Sequence, residues 1–309
     1  MTAIDRRMLP AGAAISTWAA PDGWPLRTLE WRQPEGTEAR GNLMFAGGRG
    51  DFIEKYLEPL AYWHGRGWNV TSLDWRGQGE SRGSIVGGHL DSFDPLVADG
   101  AALLRHWLDR QAGPNVALGH SMGGHLLLRI IAEHRPPLDA AVLVAPMIRI
   151  NARPIPHSVG RRISAVLALL GLGNRRAWKD NERPHLPGAS RRDYLTSCAD
   201  RYADELWWKE REPGYALGPP TWGWLNAAYR SIDGLTLESM AQVELPILIL
   251  GTERDRLVSP NAIRRAAQAL PKAELKMYSD AAHELLRESD AVRLDALATI
   301  DTFLDQHAG

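Results

Sequence analysis

Gly119-His120-Ser121-Met122-Gly123-Gly124 decides the reading of this chain, because it sets a serine at the apex of a tight turn. Asn115-Val116-Ala117-Leu118 before it reads as a short buried strand. His125 to Glu133 after it reads as a helix with apolar residues around much of its surface. A strand that runs into a helix through Gly-x-Ser-x-Gly predicts a nucleophile elbow. Gly119 and Gly123 leave room for a strained serine backbone, since a Cβ at either position would crowd the neighbouring strand or helix. The helix N-terminus then turns free N–H groups and a partial positive charge towards the serine, where an oxyanion would form.

A serine hydroxyl is a poor nucleophile until a positioned base takes its proton. On an elbow of this kind the acid and then the histidine follow in chain order. Leu245-Pro246-Ile247-Leu248-Ile249-Leu250 reads as a second buried strand, and the loop beyond it carries Asp255. Leu275-Lys276-Met277-Tyr278 reads as a last short strand, and His283 falls in the loop after it, 28 residues beyond Asp255. Ser121 is therefore the expected nucleophile, His283 the base and Asp255 the acid that orients it. Alternatives stand beside this assignment. Asp255 could instead pair with Arg254 or Arg256, leaving Glu253 or Asp280 as the acid. His120, next to the nucleophile, is expected to pack beneath the elbow rather than to act as base.

An oxyanion hole needs a second backbone donor from the loop after an earlier strand. Leu43-Met44-Phe45 reads as that strand and Ala46-Gly47-Gly48-Arg49-Gly50-Asp51 as the loop, so the N–H groups of Arg49 and Met122 are the expected donors. No Gly-Lys-Ser/Thr follows the loop and no Gly-x-Gly-x-x-Gly opens a helix, which argues against a nucleotide site. The Arg49 guanidinium is a candidate for a phosphate headgroup, with a salt bridge to Asp51 or Glu54 as the alternative.

These residues resemble the α/β-hydrolase superfamily, and within it the serine aminopeptidase/monoacylglycerol lipase–lysophospholipase group. Phe45 through Tyr56 looks like the oxyanion loop and first helix of bacterial L2-type lysophospholipases. Asp74-Trp75-Arg76-Gly77-Gln78-Gly79-Glu80-Ser81 is similar to the group's Asp-x-Arg-Gly-x-Gly-x-Ser stretch, and the elbow has the form common there. Pro219 to Leu225 looks like a segment before the second half of the core, so the resemblance spans roughly residues 40–290. Monoacylglycerol lipases usually carry His-Gly in the oxyanion loop, where this chain has Gly47-Gly48; Gly48-Arg49 is closer to the lysophospholipase form.

The resemblance implies an α/β-hydrolase fold, a mostly parallel central sheet flanked by helices with an inserted helical cap. It implies a serine-dependent hydrolase of a single-chain lipid ester, a lysophospholipid favoured. Monoacylglycerol lipase, short-chain esterase and peptidase or amidase activities use the same triad. A ligand-binding protein on a retained hydrolase fold is the reading from a different class. This chemistry requires no metal and no organic cofactor.

The 309 residues are 44% hydrophobic, enough for one large core plus an inserted lid. Thirty-six basic and thirty-seven acidic residues give a net charge of −1, so no overall field recruits nucleic acid or an anionic membrane. The single cysteine, Cys198, excludes an internal disulfide and reads as a buried structural thiol in a reducing compartment. No apolar run approaches the ~20 residues of a membrane span. Near the N-terminus only Ala11 to Ile15 is apolar, so a cytoplasmic protein is expected.

Strands are expected near residues 26–31, 41–46, 68–74, 115–119 and 140–145, alternating with helices. The expected division is a core of residues 1–146, a cap of 147–240 rich in tryptophan and proline, and a second core segment of 241–309 that ends in a helix from about 290 to 306. In the cap, Val159, Ile163, Val166, Leu167, Leu169 and Leu170 form a broad apolar face beside Arg161 and Arg162. Packing on the core is its expected main purpose, with an acyl-chain tunnel or peripheral membrane contact as the functional alternative. Gly48, His120, Trp222 and Trp224 are candidates to line a substrate pocket, and Trp207 and Trp208 share the ambiguity of filling the cap or walling a lipid site.

Overall fold

The computed structural model describes residues 4–152, 154–178 and 191–309. Among these, eight strands form one sheet: β1 (Ala13–Ala19), β2 (Pro25–Trp31), β3 (Gly41–Ala46), β4 (Trp68–Leu73), β5 (Asn115–His120), β6 (Ala140–Val144), β7 (Ile247–Thr252) and β8 (Ala273–Tyr278). Their order across the sheet is β1-β2-β4-β3-β5-β6-β7-β8. The β1–β2 and β2–β4 pairs are antiparallel, and every pair from β4 to β8 is parallel. Sequence patterning identifies all of these strands except β1. That strand is an exposed edge element held by β2 alone, so little of it needs to be apolar.

The inner strands are apolar on both faces, as a sheet covered on both sides requires. Ala117, Leu143 and Ile249 point into a core shared with α2 (Asp94–Leu108), α3 (Met122–His134) and α9 (Pro260–Ala269). Val116, Val142 and Leu248 point into a second core, covered by α1 (Leu57–His64) and α10 (Asp290–His307). The chain runs from β3 to β4 in one direction and then crosses back to place β5 on the other side of β3. Loops leaving the C-terminal ends of β3 and β5 therefore diverge, and the crevice between them is where open sheets of this kind bind ligands. The loop carrying Arg49 and the elbow carrying Ser121 flank that crevice.

Between β6 and β7 the chain leaves the sheet as α4 (His157–Leu167), continued by a π turn at Ala168–Leu172, then α5 (Arg191–Leu195), α6 (Ala199–Arg211), α7 (Trp222–Gly234) and α8 (Leu237–Ala241). Core packing is not the main use of the α4 apolar face. The helix meets α7 through its small residues: Ser164 is fully buried, and a Cβ on Gly160 would lie 2.5 Å from the Tyr229 hydroxyl oxygen. Val159, Ile163 and Val166 are exposed, as are Leu169 and Leu170, the latter two at 86% and 66%. Cys198, expected to be buried, is half-buried at the start of α6. No helix among the described residues is long and apolar enough to cross a membrane.

Candidate active site

Ser121 sits between β5 and α3 with φ 52° and ψ −115°, a strained conformation for a residue with a side chain. Three backbone hydrogen bonds hold it there. Its N–H donates to Val144 O at 2.9 Å, and its carbonyl accepts from His125 N at 3.0 Å and Met147 N at 2.9 Å. The flanking glycines are a packing necessity. A Cβ on Gly119 would fall 2.7 Å from Gly123 O, and one on Gly123 would fall 2.3 Å from Gly47 O. The elbow is thereby pressed against the loop after β3. In that loop a Cβ on Gly48 would lie 2.9 Å from Ser121 Cβ.

His283 and Asp255 come from the loops after β8 and β7, and both are buried. His283 Nδ1 lies 2.6 Å from Asp255 Oδ2. A carboxylate only accepts, so Nδ1 carries the proton and Nε2 keeps its lone pair. The other oxygen, Asp255 Oδ1, accepts from the N–H groups of Leu257 at 2.8 Å and Val258 at 2.9 Å. Burial alone would lower the affinity of His283 for a proton, but Asp255 outweighs it and raises the imidazole above its ordinary range. The competing acids are engaged elsewhere: Asp280 pairs with Arg254 at 2.9 Å, and Glu253 with Arg264. Arg256 lies over the Tyr194 ring.

Ser121, His283, Gly48, Arg49, His120 and Trp224 line one cavity. Trp222 does not line it. Two positions apart on a helix, Trp222 and Trp224 point in opposed directions, and Trp222 packs half-buried against the core. Trp207 and Trp208 also lie outside the cavity lining; they meet edge to face on α6, and Trp208 Nε1 donates to Arg6 O.

Asp51 organises the loop after β3. Its Oδ2 accepts from Gly48 N–H at 2.6 Å and from the Tyr56 hydroxyl at 3.0 Å, and lies 3.1 Å from His120 Nδ1. Burial would raise this carboxyl, but Lys55 and His120 hold it well below the usual carboxylate range. His120 thus sits beneath the loop, with its ring 4.9 Å from that of His283 and its Nε2 buried without a hydrogen-bond partner. Because Gly48 N–H is engaged by Asp51, Arg49 N–H is the next donor along the loop. The Asp74–Ser81 stretch supports the loop from below: Asp74 accepts from Ile53 N–H at 2.9 Å, and Gln78 from Gly50 N–H.

Arg49 makes neither of the salt bridges considered from sequence. Its guanidinium donates to the carbonyls of Gly218 at 3.1 Å and Gly87 at 3.3 Å and lies 5.0 Å from the centre of the Trp224 ring. Glu54 is bound by Arg27 instead, on the far side of a buried group that includes Asp74 and Tyr215.

Sequence reading misses a buried ionic hub beside the site. Lys55 Nζ contacts Asp51 at 2.6 Å, Glu284 at 2.6 Å and Glu205 at 3.1 Å, tying together the loop after β3, the residue after His283 and α6. The i, i+4 spacing of Asp51 and Lys55 is the one local trace of it.

Residues 37–290 match the family model described as serine aminopeptidase, S33. The chain is 29% identical to the probable lysophospholipase L2 of Haemophilus influenzae over 278 residues, covering 88% of this chain and 86% of that one. It is 28% identical to lysophospholipase L2 of Escherichia coli K12, covering 93% and 86%. Among solved structures, a soluble variant of monoglyceride lipase from Saccharomyces cerevisiae aligns with a TM-score of 0.75 at 17% identity, over 99% of this chain and 100% of that one. A thermostable carboxyl esterase from Bacillus coagulans gives 0.76 at 16% identity, over 97% and 100%. Those two likenesses establish the fold, which is that of the α/β-hydrolases.

Proposed function

This chain belongs to the serine aminopeptidase S33 family, and from that premise we propose that it is a serine hydrolase of single-chain lipid esters that prefers a lysophospholipid to a monoacylglycerol. One observation carries the reading: a serine at φ 52° shares a cavity with a buried histidine whose Nδ1 is fixed at 2.6 Å from a carboxylate. That arrangement is suited to acyl transfer.

His283 Nε2 takes the Ser121 proton as Oγ attacks the ester carbonyl, and Asp255 stabilises the imidazolium that forms. The developing oxyanion is received by the N–H groups of Arg49 and Met122, the latter at the positive end of α3. His283 then protonates the leaving alcohol, glycerol or glycerophospho in kind. Water, deprotonated by the same nitrogen, releases the fatty acid from Ser121. Acid–base assistance of this sort contributes ~10²–10⁴-fold, and one oxyanion donor ~10²–10³-fold.

Two features favour a lysophospholipid. The relatives named lysophospholipase L2 align over most of both chains, and a cationic side chain, Arg49, lines the cavity. Within 147–240, of which 153 and 179–190 lie outside the described residues, the helices would form the cap over the site. Its exposed apolar side, Leu169 and Leu170 above all, suits resting on a lipid surface where such substrates are found. An aminopeptidase reading is weaker, because among the described residues the carboxylates that line the cavity, Asp51 and Glu284, are both bound to Lys55.

The test is a set of initial rates on lysophosphatidylcholine, monoacylglycerol and p-nitrophenyl esters, with wild type compared to Ser121→Ala. Serine-dependent turnover led by the lysophospholipid is expected. A lead for monoacylglycerol would overturn the substrate while keeping the chemistry, and absence of serine-dependent ester turnover would overturn both. Flotation with liposomes, wild type against Leu169→Ser/Leu170→Ser, tests the lipid-surface contact; equal flotation would refute it.

A further inference from the structure

Among the described residues, more cationic than acidic side chains line the cavity beside Ser121. Arg49, Lys55, Arg191 and Lys209 line it, against Asp51 and Glu284. Glu205 on α6 stands behind this wall and is shared by four cations. Its Oε1 is contacted by Arg191 Nη1 at 2.6 Å and by Lys209 Nζ, and its Oε2 by Lys55 Nζ and Arg287 Nη1, both at 3.1 Å. Glu284 also serves Lys55 and Arg287, and Asp51 serves Lys55. Lys209 thus holds Glu205 in common with three other cations. Arg49 stands apart as a fifth cation. Its partners are two backbone carbonyls and the face of Trp224, and its Nε is buried with no acceptor.

A cation withdrawn from water without a counter-charge is costly, so a wall of this kind gains by receiving an anion. Both cations register the strain. Burial, with the charge of Arg191 adding to it, lowers the Arg49 guanidinium to about 9. Burial likewise lowers the Lys209 ammonium to about 8, with Arg191 and Lys55 opposing the pull of Glu205.

We propose that Arg49 from the core loop and Lys209 from the helical insert form an anion subsite in the catalytic cavity, which receives the phosphate of a headgroup whose net charge is negative. Arg191 supports it by sharing Glu205 with Lys209. The subsite rests on the reading of the chain as a lysophospholipid hydrolase and sharpens it. Guanidinium N–H groups with a free donor can grip phosphate oxygens, while an ammonium supplies a mobile point charge. A headgroup bearing its own quaternary ammonium would bring a third positive charge to the same wall. Lysophosphatidylglycerol and lysophosphatidic acid are therefore preferred to lysophosphatidylcholine of the same chain length, and monoacylglycerol is disfavoured against all three.

The decisive experiment does not depend on turnover. Glycerol 3-phosphate, inorganic phosphate and glycerol are titrated into the Ser121→Ala protein by calorimetry, and the first titration is repeated with Lys209→Gln and Lys209→Arg added. Glycerol 3-phosphate is expected to bind, glycerol to fail, and Lys209→Gln to weaken binding about 10- to 100-fold. Lys209→Arg should keep most of the affinity, which separates loss of charge from loss of folding. Equal binding of inorganic phosphate would overturn the headgroup assignment and leave a free-phosphate site. No binding of either anion, or equal binding by Lys209→Gln, would overturn the subsite. Ester turnover by the wild-type protein, measured in parallel, reports on the parent reading alone: active enzyme without anion binding removes the subsite only.

Discussion

Replacing Asp255 by asparagine is the substitution whose outcome the geometry constrains most tightly. Asp255 Oδ1 is pinned by the N–H groups of Leu257 and Val258, so the amide oxygen of asparagine takes that place. The NH₂ group then faces His283 Nδ1, where Oδ2 stood at 2.6 Å. A donor facing Nδ1 forces the imidazole proton onto Nε2, and the nitrogen that should accept from Ser121 is blocked. The charge is lost as well. At a separation of 2.6 Å an imidazolium and a carboxylate attract by about 6 kcal/mol at an effective dielectric of about 20. That agrees with the ~10⁴-fold loss, about 5.4 kcal/mol, that the same exchange causes in another serine hydrolase. Expected for Asp255→Asn is a kcat about 10⁴ lower on a p-nitrophenyl ester, with KM little changed and the melting temperature close to wild type. Glu253→Gln, at a side chain that pairs with Arg264, should keep kcat within about twofold, as exposed pairs contribute little. A loss below about tenfold for Asp255→Asn, or a larger loss for Glu253→Gln, would refute the assignment of the acid.

Gly48→Ala places a Cβ 2.9 Å from Ser121 Cβ and 3.2 Å from His120 Nδ1; displacement of the loop should lower kcat about 10- to 100-fold, and an unaltered rate would contradict its place in the site. His283 must be neutral to act as base, and its pKa is raised by Asp255 against the opposing effect of burial. The pH profile of kcat/KM should therefore rise with pH through a midpoint above 6.5, and a midpoint below that value would contradict the pairing. Arg27→Met removes the cation that binds Glu54 and Asp74, both buried. Urea unfolding should show a loss of about 3–5 kcal/mol, against which a change below about 1 kcal/mol would count.

The elbow was legible because every part of it is local. Gly119, Ser121 and Gly123 lie within five positions, a buried strand precedes them and a helix follows. Asp255 and His283 were legible by a different route, since each sits just after a short apolar strand and topology does the rest. Three things were not legible. β1 escaped because an edge strand with mostly exposed side chains need not alternate apolar and polar residues. The apolar side of α4 was visible as a pattern, but a pattern does not say which side meets the protein. Gly160 and Ser164, too small to mark a packing face in sequence, make that contact. The hub of Lys55, Glu205 and Glu284 escaped because its members are brought together from far apart in the chain, with 150 positions between Lys55 and Glu205. Charged residues scattered in this way look solvated until the fold buries them.

Intact-mass spectrometry after exposure to an alkyl fluorophosphonate asks directly whether Ser121 is the nucleophile. A single adduct per chain is expected, mapped by peptide analysis to Ser121, absent from Ser121→Ala and slowed in His283→Ala. An unlabelled wild-type protein, or equal labelling of Ser121→Ala, would contradict it.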